Sequence, residues 1–165
     1  MWNYRASFYK SFFKKLRISV FLFNQFNTYK DNEATIFKGI DKLIAEQYNR
    51  KLKLAIFTNN KSTYAEEILE KFNLTKYFNT IIGFNDVSAV KPNPEGIIKI
   101  LDTWKIKPSE AIFIGDMTTD IDAGHNAQVF TVCVASGLAQ KGTLIEHNPN
   151  IIVDNTEQLI KLFNF

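Results

Sequence analysis

One cysteine, Cys133, in 165 residues leaves no internal disulfide to be made. Its place in the apolar run Thr131-Val132-Cys133-Val134 reads as a buried strand position, and a reducing cytoplasm is the plain inference. Long hydrophobic runs are missing too: nothing approaches the roughly 20 apolar residues that span a bilayer. The start lacks the apolar core and small-residue cleavage site of a signal peptide. The expectation is therefore a soluble cytoplasmic protein without a membrane span. Charge of one sign is scarce, since 20 Lys and Arg stand against 17 acids and leave +3. That is too weak and too scattered to select nucleic acid as a partner, although mild basicity suits an anionic substrate. No internal repeat, low-complexity tract or linker interrupts the chain, so one domain over residues 1–165 is expected.

Aromatic residues, by contrast, crowd the start. Trp2, Tyr4, Phe8, Tyr9, Phe12 and Phe13 lie among Arg5, Lys10, Lys14 and Lys15. Phe8, Phe12, Phe13 and Leu16 recur at helical spacing, which predicts an aromatic, basic helix over residues 1–16. Such a helix could pack on the body, on a protein partner or on a second copy; a membrane-touching segment is the sharper alternative.

Further along, short apolar runs alternate with amphipathic stretches, the pattern of strand–helix units on a mostly parallel sheet. Leu52–Phe57, Ala111–Ile114 and Val129–Val134 read as strands covered on both faces. Asn79–Ile82 and Ile151–Val153 are shorter candidates, and the β-branched, aromatic stretch at 18–23 is another. Ala65, Ile68, Leu69 and Phe72 place a helix at about 63–73, with Thr63 and Glu66 at capping-box spacing. Ile97, Ile100, Leu101 and Trp104 place one at about 94–104, where Asn93 can cap and Pro94 suits the first turn. Helices are also expected at about 37–49, 119–127 and 156–163, the last two opened by Thr119 and Thr156.

Three strand ends carry chemistry. Ile112-Phe113-Ile114-Gly115-Asp116-Met117-Thr118-Thr119-Asp120 ends a buried strand in glycine and then sets two carboxylates four residues apart. Carboxylates there face the crevice where open α/β sheets bind ligands, and hard oxygens suit Mg²⁺. The plainer reading is a turn with Asp120 in a helix's first turn. Leu54-Ala55-Ile56-Phe57-Thr58-Asn59-Asn60 ends a second strand with a hydroxyl and an amide before a helix, suited to phosphate oxygens or simply to turning and capping. In Val90-Lys91-Pro92-Asn93-Pro94-Glu95 two prolines restrain the backbone around a lysine, whose plain role would be solvation.

In this order and spacing the three segments resemble the second, third and fourth motifs of the haloacid dehalogenase superfamily. The phosphoglycolate-phosphatase-like branch is the nearest in pattern. The likeness runs from Phe37-Lys38-Gly39-Ile40 to Leu159 and takes in Tyr77-Phe78 and Ser136-Gly137. It implies a Rossmann-like, doubly wound core and a hydrolase that acts on a small phosphorylated metabolite. It also implies that Thr58, with Asn59, binds phosphoryl oxygens, that Lys91 orients and neutralises phosphate, and that Asp116 and Asp120 hold Mg²⁺.

The first motif of that family, Asp-x-Asp-x-Thr, is nowhere in this chain. The nearest alignment, Phe21-Leu22-Phe23-Asn24-Gln25-Phe26-Asn27-Thr28, keeps the strand and Thr28 but puts Asn24 in the place of the nucleophile and Phe26 in that of the acid. An amide attacks phosphorus poorly and a phenyl ring moves no proton, so both catalytic groups are missing and Mg²⁺ binding is weakened. A rival account takes residues 1–36 as the tail of a helical cap, or as unrelated sequence. The span from Thr28 to Thr58, largely filled by the helix at 37–49, leaves no room for the branch's helical cap, so none is expected. The leading expectation is a Mg²⁺-dependent phosphomonoester hydrolase by descent with doubtful turnover. The alternatives are a non-catalytic phosphate-binding or regulatory domain and a truncated gene product.

Overall fold

The computed structural model describes residues 18–21, 26–29, 33–135 and 139–163, with backbone alone at 18–21, 26–29 and 33–35. Among these residues eight strands and six α-helices follow one another: β1 Ile18–Phe21, β2 Phe26–Tyr29, β3 Glu33–Ile36, α1 Ile40–Asn49, β4 Lys53–Phe57, α2 Ser62–Lys71 and β5 Thr80–Ile82. The second half adds α3 Glu95–Trp104, β6 Ala111–Gly115, α4 Thr118–Asn126, β7 Phe130–Val134, α5 Lys141–Glu146, β8 Ile151–Val153 and α6 Thr156–Phe163. The aromatic helix expected over 1–16, residues 22 and 23 of the expected strand, Asn24 and Ser136-Gly137 lie outside the described residues.

Six strands form one sheet in the order β5-β4-β1-β6-β7-β8, and every pairing in it is parallel. Parallel neighbours need crossovers, and the helices supply them while covering both faces, which is why these strands read as continuous apolar runs. Alternation along each strand divides the core. Leu54, Ile56, Ile112, Ile114, Val132 and Val134 meet α1, α2 and α6 through Ile44, Leu69 and Phe163. Ala55, Phe57 and Phe113 turn the other way, onto Ile97, Ile100 and Leu101 of α3 and Ala123 of α4.

β1 is the centre of this arrangement. Ser19 is in register with Leu54 of β4 on one side and with Ile112 of β6 on the other. The stretch at 18–23 thus forms its strand at 18–21, where omitting it would leave two strand edges unpaired.

Two features were not foreseen. β2 and β3 pair antiparallel as a separate two-stranded ribbon, Thr28 opposite Ala34. β2, Phe-Asn-Thr-Tyr, does not alternate, and the alternation of β3, Glu-Ala-Thr-Ile, lasts only four residues, too few to stand out in sequence. α5 is equally quiet in sequence because it buries Leu144 alone. Between the end of β1 and the start of β4, the described residues hold only this ribbon and α1, with no helical cap.

α1 starts at Ile40 rather than 37, α2, α3 and α4 each start one residue from the expected position, with α4 opening at Thr118 rather than Thr119, and the capping groups differ. α2 opens at Ser62, and its first N–H is taken by the Asn85 side chain at 2.9 Å, where Thr63 was expected to cap. α6 opens at Thr156 as expected, yet Asn155 accepts the Gln158 N–H at 3.0 Å. At α3 the cap position falls on Pro94 rather than Asn93, and Asn93, one residue earlier, accepts the Glu95 N–H at 2.9 Å.

Candidate functional site

The carboxyl ends of β4, β1 and β6 lie side by side, and the three sequence segments meet there. Thr58 directly follows β4 and is buried. Its backbone N–H reaches the Ile82 carbonyl at 2.9 Å, tying the turn to β5. Its hydroxyl oxygen accepts the Asn60 N–H at 3.1 Å. A hydroxyl offers one proton and two lone pairs, so this bond leaves the proton for an outside acceptor.

Lys91 comes in from the loop before α3, and its side chain is 1% exposed. The ammonium donates to the Phe57 carbonyl at 3.2 Å and stands 2.9 Å from Asp120 Oδ1. Asp120 Oδ1 accepts no well-aligned hydrogen bond, so the attraction of the Lys91 charge is what compensates this buried oxygen. One nitrogen therefore bridges the end of β4 and the start of α4, and β1 runs between them in the sheet. Lys91 is thus an interior charge rather than a solvated one, because the loop folds it across the strand ends.

Asp120 is held equally firmly. Its Oδ2 accepts the N–H groups of Asp116 at 3.1 Å and Met117 at 3.0 Å, so it closes the turn that opens α4. Gly115 makes room for it: a Cβ there would come within 2.3 Å of the Asp120 Cβ. The glycine after the apolar strand is therefore a requirement of the site. Asp116 is also buried, 5% exposed, beside Asp120.

The exposed Asn59 turns its amide onto the Lys91 backbone, which its sequence position did not suggest. The Lys91 loop is tied at its shoulders as well. Ser88 and Ala89 donate to the Glu95 carboxylate, at 2.9 and 3.2 Å, and Asn126 donates to the Pro92 carbonyl at 3.1 Å. Hydrogen bonding by Lys99 and Ser88 holds the Glu95 carboxyl down at about 2, so this anchor stays ionised. No local signal marks Asn126 or Glu95 for this work; only the folded chain brings them to the loop.

Of the first-motif positions, Phe26 and Thr28 fall in β2. Among the described residues no three His, Cys, Asp or Glu side chains cluster as a closed metal cage. Asp116 and Asp120 nevertheless fit a hard cation, since both are carboxylates buried at the start of α4, a donor set of hard oxygens.

Cys133 is the buried strand residue its sequence suggests, paired in register with Gly115. Burial, and then the charges of Asp120 and Asp116, push its thiol from an ordinary 9.0 up to about 12. The folded state therefore keeps a proton that the unfolded chain releases. The thiol's contribution is complete below pH 9 and is lost as pH rises towards 12, at about 1.4 kcal/mol per pH unit. Urea midpoints measured with EDTA between pH 8.5 and 10.5 are expected to fall more steeply in the wild type than in Cys133→Ala; equal slopes would contradict this. Iodoacetamide should label Cys133 only after unfolding.

Comparison with known proteins supports the fold and gives the family. The chain is 29% identical over 132 residues to the pyrophosphatase PpaX of Oceanobacillus iheyensis, covering 80% of this chain and 62% of that one. It is 31% identical over 126 residues to the pyrophosphatase PpaX of Listeria welshimeri, covering 76% and 58%. It thus spans about three fifths of the length of these relatives. A predicted phosphoglycolate phosphatase from Haemophilus somnus superposes with a TM-score of 0.74 over 80% of this chain and 59% of that one; at 21% identity this is a likeness of fold. A HAD-superfamily hydrolase from Geobacter sulfurreducens gives 0.65 at 26% identity, covering 78% and 61%. The family model for haloacid dehalogenase-like hydrolases matches residues 3–134, and the chain belongs to that family.

Proposed function

We propose that this chain is a phosphate-binding domain of the Mg²⁺-dependent phosphomonoesterase type, acting in the cytoplasm on a small phosphorylated metabolite, whose hydrolytic step is missing or very slow. The carrying observation is the buried Lys91 ammonium, bridged between Phe57 O and Asp120 at the strand ends. An ammonium has three N–H donors. Two face these oxygens, and the third is the donor for a phosphoryl oxygen, with the hydroxyl of Thr58, the residue after Phe57, offering a second. The names of the relatives, pyrophosphatase and phosphoglycolate phosphatase, support a phosphoester or phosphoanhydride as ligand.

Asp116, with Asp120 beside it, would hold Mg²⁺. Bound there, the ion supplies the positive charge that a phosphate needs next to two carboxylates. Hydrolysis through a covalent intermediate needs a carboxylate to attack phosphorus and an acid to protonate the leaving group. Asn24 and Phe26 supply neither. That absence favours the second reading within the same site, a domain that binds phosphate and reports it to a partner without turning it over.

The test is calorimetric titration with inorganic phosphate in the presence and absence of Mg²⁺. Binding is expected only with Mg²⁺ and is expected to vanish in Asp116→Asn. Binding that is indifferent to Mg²⁺ and to Asp116→Asn would overturn the metal assignment, and no binding at millimolar phosphate would overturn the reading itself.

A further inference from the structure

Asn59 follows Thr58 immediately, and a phosphate ligand is the obvious role for its amide. The hydrogen bonds give the amide different work. Its Oδ1 accepts the Lys91 N–H at 3.0 Å and its Nδ2 donates to the Lys91 carbonyl at 3.3 Å, across 32 residues of sequence. One side chain thus holds both peptide groups of one residue, much as a neighbouring strand would.

The rest of the loop is anchored elsewhere: Ser88 and Ala89 to Glu95, and Pro92 to Asn126. Those ties set the shoulders of the loop, and the Asn59 pair sets its apex. The apex matters because the lysine stem has four flexible carbons, and its ammonium has a single position only when the Cα is held. From the held Cα the ammonium reaches Phe57 O and Asp120. The same turn also presents the Thr58 hydroxyl, so Asn59 ties one phosphate donor to the other. Other residue types serve less well. Aspartate keeps the acceptor, loses the donor and adds a repulsive charge; glutamine is a methylene too long; serine cannot reach both groups.

We propose that Asn59 is a positioning residue that acts on phosphate through Lys91, setting where the ammonium stands. This deepens the phosphate-binding reading and rests on it for the anion. Binding of inorganic phosphate with Mg²⁺ is compared in wild type, Asn59→Ala, Lys91→Met and the double variant. Asn59→Ala is expected to weaken binding about tenfold when Lys91 is present and less than about twofold when it is absent. An equal loss in both backgrounds would make Asn59 a direct ligand and overturn the proposal, as would no loss in either. The second measurement needs no phosphate: competitive acetylation with acetic anhydride, read lysine by lysine by mass spectrometry. Lys91 should be among the slowest lysines in the wild type and about tenfold faster in Asn59→Ala, with the exposed lysines unchanged. If the wild type binds no phosphate, the phosphate reading fails while the acetylation rates still decide: a faster Lys91 upholds the role of Asn59, and an unchanged Lys91 overturns it.

Discussion

The double substitution Asn24→Asp with Phe26→Asp is expected to raise Mg²⁺-dependent hydrolysis of p-nitrophenyl phosphate at least about 10²-fold over the wild type, the lower range for a positioned general acid. The gain can be much larger where a nucleophile is restored, since removing one elsewhere costs on the order of 10⁶ in kcat. The argument is positional. β1 lies between β4 and β6, so its last residue, Phe21, ends between the strands that Thr58 and Asp116 directly follow. Lys91 already bridges those two sides, ready to face an added carboxylate. The carboxylate introduced at position 24 would attack phosphorus, and the carboxyl introduced at position 26 would protonate the departing phenolate oxygen. Asp116→Asn in the double-variant background should abolish the gain. A silent double variant would remove residues 24–28 from the catalytic loop and favour the account of residues 1–36 as cap-derived. Wild-type turnover that disappears in Asp116→Asn would show that the nucleophile is another residue.

Replacing Lys91 by methionine is expected to lower stability by about 3 kcal/mol, the low end for breaking a buried ion pair from one side. At this chain length the loss corresponds to about 10 °C in Tm. Methionine keeps most of the stem volume, so the loss comes from charge. The Asp120 side chain, 2% exposed, would keep a negative charge with no cation against Oδ1, and Asp116 lies beside it. Adding Asp120→Asn should recover much of the loss, because the amide oxygen can still accept the Asp116 and Met117 N–H groups while the stranded charge is gone. Thermal unfolding followed by circular dichroism measures both variants. A Lys91→Met protein as stable as wild type would mean that water reaches Asp120 and that the pair is not truly desolvated.

Much of the architecture was legible from residues alone, for a definite reason. Runs such as Leu54-Ala55-Ile56-Phe57 and Ala111-Ile112-Phe113-Ile114 are apolar on both faces because helices cover both faces of their sheet. Helical spacing in Ile97, Ile100 and Leu101 reports the stripe that α3 lays on Ala55 and Phe113. Local pattern reports local burial, and these elements are buried by the nearest layer. The same reading missed the β2–β3 ribbon and α5, whose elements of four and six residues are too short to show a period clearly.

The site divides along the same line. Three motifs in their order, through the family resemblance they carry, picked out Thr58, Lys91, Asp116 and Asp120 as candidates, although each segment alone also reads as a cap, a turn or a solvated charge. Assembly decided what each of them touches. Asp120 became both the closure of its own turn and the counter-charge of Lys91. Asn59 came to hold Lys91, and Asn85 rather than Thr63 came to meet the start of α2. Each of these two contacts joins residues more than 20 positions apart. A sequence period extends over one helix or one strand, whereas such contacts exist only once strand order brings separate loops to the same end of the sheet.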